Sequence, residues 1–340
     1  MRHARVKAEG VGCYHVVSRI VDRTFRLDDG EKEIFRSTMR RAETFCGVRV
    51  LTYAVMANHF HLLVEVPERS EVGEAELVRR MTVLYGKTCA AQTVRQWAEW
   101  RKTGAASLVE EQQARLRARM FDISAFVKTV KQRYSMSYNG RHGRRGTLWE
   151  DRFKSVLIEN SESAKAAVAA YIDLNPVRAK IVADPKGYRW SGYGEACGGG
   201  RLARAGLTAV HGSRRLEQPG DWGHVAKRYR VLLYTAGEVK REATCGRAAR
   251  PGIATAEVDR VIGSGGKLTL QQALRCRVRY FTDGMALGSQ AFVDGVFERN
   301  RRFFGPKRKD GARKMRFADW GGLRTARALR VAPLHAPLTT

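Results

Sequence analysis

The sequence predicts an α+β fold: a ferredoxin-like antiparallel sheet with helices, followed by a mostly helical, basic C-terminal domain. Three observations predict it. Strand-like alternation and helical spacing follow one another in the order β-α-β-β-α-β, which is the ferredoxin-like order. The two middle strands are joined by a tight turn at Met56-Ala57-Asn58, which makes them a hairpin. A GGGR run at Gly198 to Arg201 then marks a boundary, beyond which the chain becomes irregular and rich in arginine.

Each element has its own signal. Val11 to Val21 alternates and forms a first strand. Asp28-Asp29 opens a helix running to about Cys46, with acidic residues in its first turn, where the helix dipole favours them. Ile34, Thr38, Ala42 and Phe45 share one side of it. Val48 to Val55 is the second strand and His59 to Val66 the third. Glu71 to Met120 is helical in composition, heavily charged and without a chemical motif, so it reads as a helical insertion at about 71–120. A second core helix spans Ile123 to Tyr138, with Phe126, Val127, Val130, Tyr134 and Tyr138 at helical steps. The basic, glycine-rich loop from Asn139 to Lys154 leads into a fourth strand, Phe153 to Ile158. An alanine-rich helix follows from Ser161 to Leu174, and small side chains make it a comparatively mobile element.

This organisation gives a first unit at 1–195, a linker at 196–224 and a basic helical region at 225–340. Leu268 to Tyr280 and Ser289 to Asn300 read as two short helices there. With the strongly basic Arg299 to Arg316 they form either a helix-turn-helix-like duplex binder or a basic tail.

Composition narrows the function. The 340 residues carry a formal charge of +28 and a pI near 10.5. Such a charge attracts polyanions, nucleic acid before anionic membrane. The start, MRHARVKAEG, lacks the apolar core of a signal peptide, and no run is long enough to span a bilayer. Six scattered cysteines without a CxxC pair argue against a zinc knuckle or a disulfide framework. The expectation is a cytoplasmic protein that handles nucleic acid.

The chemistry is concentrated in three stretches. In YAVMANHFHLLVEVP, strand alternation puts Phe60, Leu62, Val64 and Val66 on one face and His59, His61, Leu63 and Glu65 on the other. Two imidazoles two residues apart on one face can reach one metal ion, or each can hydrogen-bond at the surface. In the loop after the second core helix, Arg141, Arg144, Arg145, Arg152 and Lys154 interleave with glycine and Trp149, close to Lys131 and Arg133. That mixture suits phosphate contact and base stacking, against the alternative of a solvated charge run. In YIDLNPVRA, Tyr171 lies on a face with Ala164, Ala167 and Val168 and is open to a core role. Tyr134 lies nearer the basic loop. Asn175 lies one turn past Tyr171, and preceding Pro176 it is also a natural helix cap.

These stretches, with FVKTVKQRYSMSYNGRHGRRGTLWEDRFKSVLIE, resemble the REP-associated tyrosine transposases. Those are relatives of the single-tyrosine insertion-sequence transposases and of the wider HUH endonucleases. The resemblance covers Gly10 to Trp190. It implies a catalytic domain that recognises hairpins and cleaves single-stranded DNA through a 5′-phosphotyrosine with Mg²⁺ or Mn²⁺. It further implies His59 and His61 as the metal pair, Asn175 as third ligand and Tyr171 as nucleophile. Arg178 joins the expected DNA contacts. The partner implied is hairpin-bearing single-stranded DNA, bound by a monomer or homodimer without a membrane. A domesticated hairpin-binding protein without cleavage is the alternative. A rolling-circle or relaxase enzyme is a third possibility, against which stands the absence of a P-loop.

Overall fold

The computed structural model describes residues 6–212, 221–234, 269–326 and 334–335. Strand β1 (Gly12–Arg19) is followed by helix α1 (Asp29–Cys46) and the hairpin of β2 (Arg49–Val55) and β3 (His59–Val66). Asp28 caps α1 by accepting from the Glu31 amide, and Gly47, with φ of 65°, turns the chain out of it. The insertion is three helices, α2 (Glu74–Tyr85), α3 (Lys87–Lys102) and α4 (Ala106–Arg117). Helix α5 (Ile123–Arg141), capped by Asp122, then leads to β4 (Lys154–Ile158). These strands stand in the order β2-β3-β1-β4, every neighbouring pair antiparallel. The fold is α+β with the expected ferredoxin-like core.

The sheet has two different faces. Val16, Phe60, Leu62 and Val64 pack with Phe35 and Met39 of α1 and Phe126 and Val130 of α5. The opposite face carries Cys13, Ala54, Leu63, Val156 and Ile158, and it is covered by α6 (Glu162–Asp173). Every residue of α6 from Ala164 to Asp173 is buried. The expectation of a mobile helix is therefore not what the packing shows. Small side chains here allow close approach to β2 and β3 instead of loose contact.

Beyond α7 (Asn175–Arg178) and α8 (Gly192–Cys197) lies α9 (Arg201–Val210), within the stretch read as a linker. It packs on β2 so closely that a Cβ on Gly206 would lie 2.5 Å from the Leu51 carbonyl oxygen and 2.6 Å from that of Val50. Helix α10 (Asp221–Leu233) packs against α6 and α9.

The expected helix from Leu268 to Tyr280 is cut short. Helix α11 (Leu270–Leu274), opened by a Thr269–Gln272 capping box, gives way to β5 (Arg277–Val278) and α12 (Tyr280–Asp283). The reason is a change of period: Cys276, Val278 and Tyr280 are buried in alternation with Arg277 and Arg279. Next come β6 (Ala286–Gly288), α13 (Gln290–Arg299), β7 (Arg313–Lys314), β8 (Arg324–Thr325) and β9 (Leu334–His335). Strand β6 pairs parallel to β4, and β8 and β7 follow, so the sheet has seven strands among the described residues. Strands of two or three residues leave no periodic signal, which is why the sequence did not announce them.

Candidate active site

The pairing of β1 with β3 places Arg19 opposite His59, Val17 opposite His61 and His15 opposite Leu63. Residues opposite each other in an antiparallel pair point to the same face. His15, Arg19, His59 and His61 therefore gather on the face that α6 covers. The His59 and His61 rings are 5.1 Å apart and nearly perpendicular, and His15 and His61 stack at 5.1 Å. His15 Nε2 lies 2.9 Å from His61 Nδ1, and His15 Nδ1 lies 2.6 Å from the Phe281 carbonyl oxygen.

His59 is oriented by its neighbour. The Asn58 amide nitrogen donates to the Arg23 carbonyl at 3.0 Å, which turns its oxygen toward His59 Nδ1 at 2.6 Å. An amide oxygen only accepts, so the His59 proton sits on Nδ1 and its Nε2 keeps a lone pair. All three imidazoles are held in the neutral form. Burial pushes His59 down to about 3, with repulsion from Arg19, Arg277 and Arg178 adding to it. Burial likewise takes His15 down to about 4 and His61 well below its ordinary value.

Helix α6 brings Tyr171 over this face. Its ring centre lies 6.1 Å from that of His15 and 6.2 Å from that of His61, edge-on to both. Phe281 of α12 packs edge-on against it at 5.0 Å, and the Arg178 guanidinium lies 4.0 Å from its centre. Tyr171 is only 3% exposed. Two residues on, the buried Asp173 fastens the helix. It accepts from Thr52 Oγ1 at 2.8 Å, the Tyr193 amide at 3.0 Å and the Tyr229 hydroxyl at 2.7 Å. Its carboxyl is pushed up to about 7 by burial, which outweighs these three donors.

Asn175 is the first residue of α7, and the residue at the helix cap is Leu174 instead. The cap alternative is thus not realised. Its Nδ2 is buried without a partner. Among the described residues, no group of three or more His, Cys, Asp or Glu side chains is arranged to hold a metal. The third imidazole does not add a ligand, because both nitrogens of His15 are engaged. The histidine face would therefore offer two imidazoles rather than a full protein cage. That fits a divalent ion that keeps water and substrate oxygens in its shell.

The expected DNA contacts separate into three groups. Arg145, Arg152 and Lys154 are exposed and Arg144 is half-buried; Lys154 pairs with Asp283 at 3.0 Å. Lys131 donates to the Asp151 carbonyl at 2.7 Å, and Arg133 lies over the Tyr85 ring at 5.1 Å. Two others are placed differently from the expectation. Trp149 is a core residue: it is 7% exposed, packs edge-on to Phe60 at 5.4 Å and donates to Ser135 Oγ at 2.7 Å. Its ring faces are not free for a base. Arg178 is buried, donating to the carbonyls of Tyr171 at 2.7 Å and Leu274 at 2.9 Å. Arg141 is exposed, as expected of a surface contact, and pairs with the buried Glu31 at 2.7 Å.

Tyr134 is fully buried on the opposite side of the sheet, its hydroxyl donating to Glu31 at 2.7 Å. It is not part of the histidine face. Sequence reasoning missed His15, Arg19, Arg277 and Phe25. The first two alternate with Val17 in the first strand and were legible once that strand is paired with the HFH strand. Phe25, 83% exposed, lies on the loop that bonds back to the turn before His59 through Leu27 N and the Ala57 carbonyl at 2.9 Å.

Residues 11–102 match the family model described as "Transposase IS200 like". The match includes His15, His59 and His61 and ends before Tyr171. The solved "Structure of the REP associates tyrosine transposase bound to a REP hairpin" is similar at 14% identity and a TM-score of 0.37, over 57% of this chain and 84% of that one. No curated protein matches. The likeness to IS200-like transposases thus lies in residues 11–102, less than half of the 340-residue chain.

Proposed function

We propose that the protein is a transposase-like strand transferase that binds hairpin-bearing single-stranded DNA and cleaves it through Tyr171. The observation that carries this reading is the placement of the Tyr171 ring about 6 Å from the His15 and His61 rings, on a face ringed by arginines. The Tyr171 oxygen attacks the phosphodiester phosphorus as the bond to the 3′-oxygen breaks. The phenol gives up one proton and the released 3′-oxygen takes one up, so the phosphate stays on the tyrosine and the bond energy is kept. Mg²⁺ or Mn²⁺ held by His59 and His61, with Asn175 as third donor, would draw charge off the scissile phosphate. Burial keeps His59 neutral, Arg19, Arg277 and Arg178 add to it, and these arginines would also attract a phosphate to the site.

In this reading Arg144, Arg145, Arg152, Lys131, Arg133 and Lys154 grip the backbone, in a monomer or a homodimer. Phe25, between Arg23 and Arg26 on the loop bonded to the turn before His59, would offer an unpaired base an exposed ring. Among the described residues, no helix is long and apolar enough to cross a membrane.

The decisive experiment is a denaturing gel of the protein with hairpin-bearing single-stranded DNA and Mg²⁺ or Mn²⁺. A covalent protein–DNA adduct is expected. One observation favours a second reading, hairpin binding without cleavage: Tyr171 is closed off beneath Phe281. Tight hairpin binding with no adduct under any metal would establish that alternative.

A further inference from the structure

We infer that His15 is a positioning residue, which fixes the His61 imidazole with its Nε2 lone pair turned away from His15 and available to a ligand. The proton positions follow from what each atom can donate or accept. The Phe281 carbonyl can only accept, so at 2.6 Å the proton between them belongs to His15 Nδ1. His15 is 1% exposed, and neither of its ring nitrogens is bonded to a carboxylate that could compensate a charge. A neutral ring with its proton on Nδ1 has a bare Nε2, which must accept. Its partner at 2.9 Å is His61 Nδ1, which therefore carries the hydrogen. His61 Nε2 is left unprotonated.

The same outcome is reached at His59 by a different route, through the Asn58 amide. Both histidines of the HFH strand thus present the nitrogen a metal ion needs. At His61 this depends on a carbonyl more than two hundred residues away in sequence. Residues 274–281 hold the site at three points: the Phe281 carbonyl on His15, the Phe281 ring on Tyr171, and the Leu274 carbonyl on Arg178. The C-terminal region is in this sense part of the catalytic centre.

The tautomer assignment stands without any metal or DNA, whereas its consequence for catalysis rests on the function proposed above. The test is ¹⁵N NMR of histidine-labelled, metal-free full-length protein, which distinguishes Nδ1–H from Nε2–H imidazoles. His59 and His61 are expected as Nδ1–H. A wild-type His61 bearing its proton on Nε2 would overturn the inference. Mn²⁺ affinity is then measured on His15→Leu and His15→Gln. The leucine removes the acceptor, and a loss on the order of 10–100-fold is expected, as for outer partners of metal-binding histidines. The glutamine can accept through its oxygen and donate through its nitrogen, so it should restore the affinity to within a few-fold. Equal affinity in wild type and both variants would sink the positioning role. A wild type that shows the Nδ1–H tautomer but binds no Mn²⁺ would refute the metal reading and leave the positioning of His61 intact.

Discussion

Arg178 lies 4.0 Å from the centre of the Tyr171 ring and also donates to the backbone carbonyl of Tyr171 at 2.7 Å. One side chain therefore fixes the ring and the main chain of the proposed nucleophile together. Its other branch reaches the Leu274 carbonyl at 2.9 Å, joining α7 to the C-terminal region. Burial lowers the tendency of this guanidinium to stay charged, and the neighbouring Tyr171 phenol works against that. Arg178→Ala should lose about 3 kcal/mol of stability, from two hydrogen bonds made by a charged donor. Arg178→Lys cannot reach both carbonyls with one planar fork and should recover only part. Urea unfolding measures both; an unchanged midpoint for the alanine variant would contradict the packing described.

Tyr171→Phe keeps the ring and its contacts with His15, His61 and Phe281 while removing the attacking oxygen. The variant should fold, bind hairpin DNA with near-normal affinity and form no adduct. Tyr134→Phe should still form one, at the expense of the hydrogen bond to Glu31, worth about 1 kcal/mol. An adduct from the Tyr171→Phe protein would assign the chemistry to another residue.

The grip on DNA is tested by salt. Every phosphate that a cationic side chain neutralises frees counterions from the DNA, and the salt dependence of binding counts them. Replacing Arg144 and Arg145 together by Ala should therefore flatten the slope of log affinity against log salt by about two units at most. If the slope does not move, this loop faces solvent in the complex.

Phe25→Ala should weaken binding to an oligonucleotide with an unpaired tail more than binding to a closed hairpin, since stacking on an aromatic side chain is worth about 1–3 kcal/mol per base. A Phe25→Trp reporter should be quenched by the tailed strand. Equal loss on both DNAs would show that the ring does not meet an unpaired base.

Asp173 gives a pH prediction whose sign follows from its surroundings. Its carboxyl titrates at about 7 in the folded chain against an ordinary 3.8, so between these values the folded state holds a proton that the unfolded state has released. Raising the pH through that window therefore favours unfolding. The contribution is greatest in acid and has been lost once the pH exceeds about 7. Asp173→Asn cannot ionise, and the difference in unfolding free energy between wild type and variant should change between pH 5 and 7.5. A constant difference across that range would place the titration elsewhere.

How far the sequence reached depended on the length of each signal. Helix α1 with its Asp28 cap, the HFH strand and α5 were legible because each carries many residues of one period. The two sheet faces followed from alternation alone. Trp149 was misplaced because glycine and arginine around it look the same whether the ring points out or in. Only the tertiary contact with Phe35 and Phe60 decides that. Arg178 was read by its charge, yet two carbonyls from distant parts of the chain make its burial possible. His15 was overlooked because its significance lies in a register, Val17 opposite His61, that no single stretch states. Residues 235–268, which include the basic patch from Lys240 to Arg250, lie outside the described residues.

The parallel pairing of β6 with β4 bears on how this protein can be taken apart. The amides of Leu157 and Glu159 donate to the Met285 and Leu287 carbonyls at 3.0 and 2.9 Å. A fragment ending after α9 would leave those donors bare beside Val156, Leu157 and Ile158, an apolar strand free to zip onto its counterpart in another molecule. In the whole chain the rim of the sheet is instead Arg313 and Lys314, both exposed, whose like charges push a second copy away. Insolubility of such a fragment would reveal the loss of a guard on the sheet rather than the loss of DNA recognition, and point changes such as His15→Leu are the cleaner way to ask what the C-terminal region contributes.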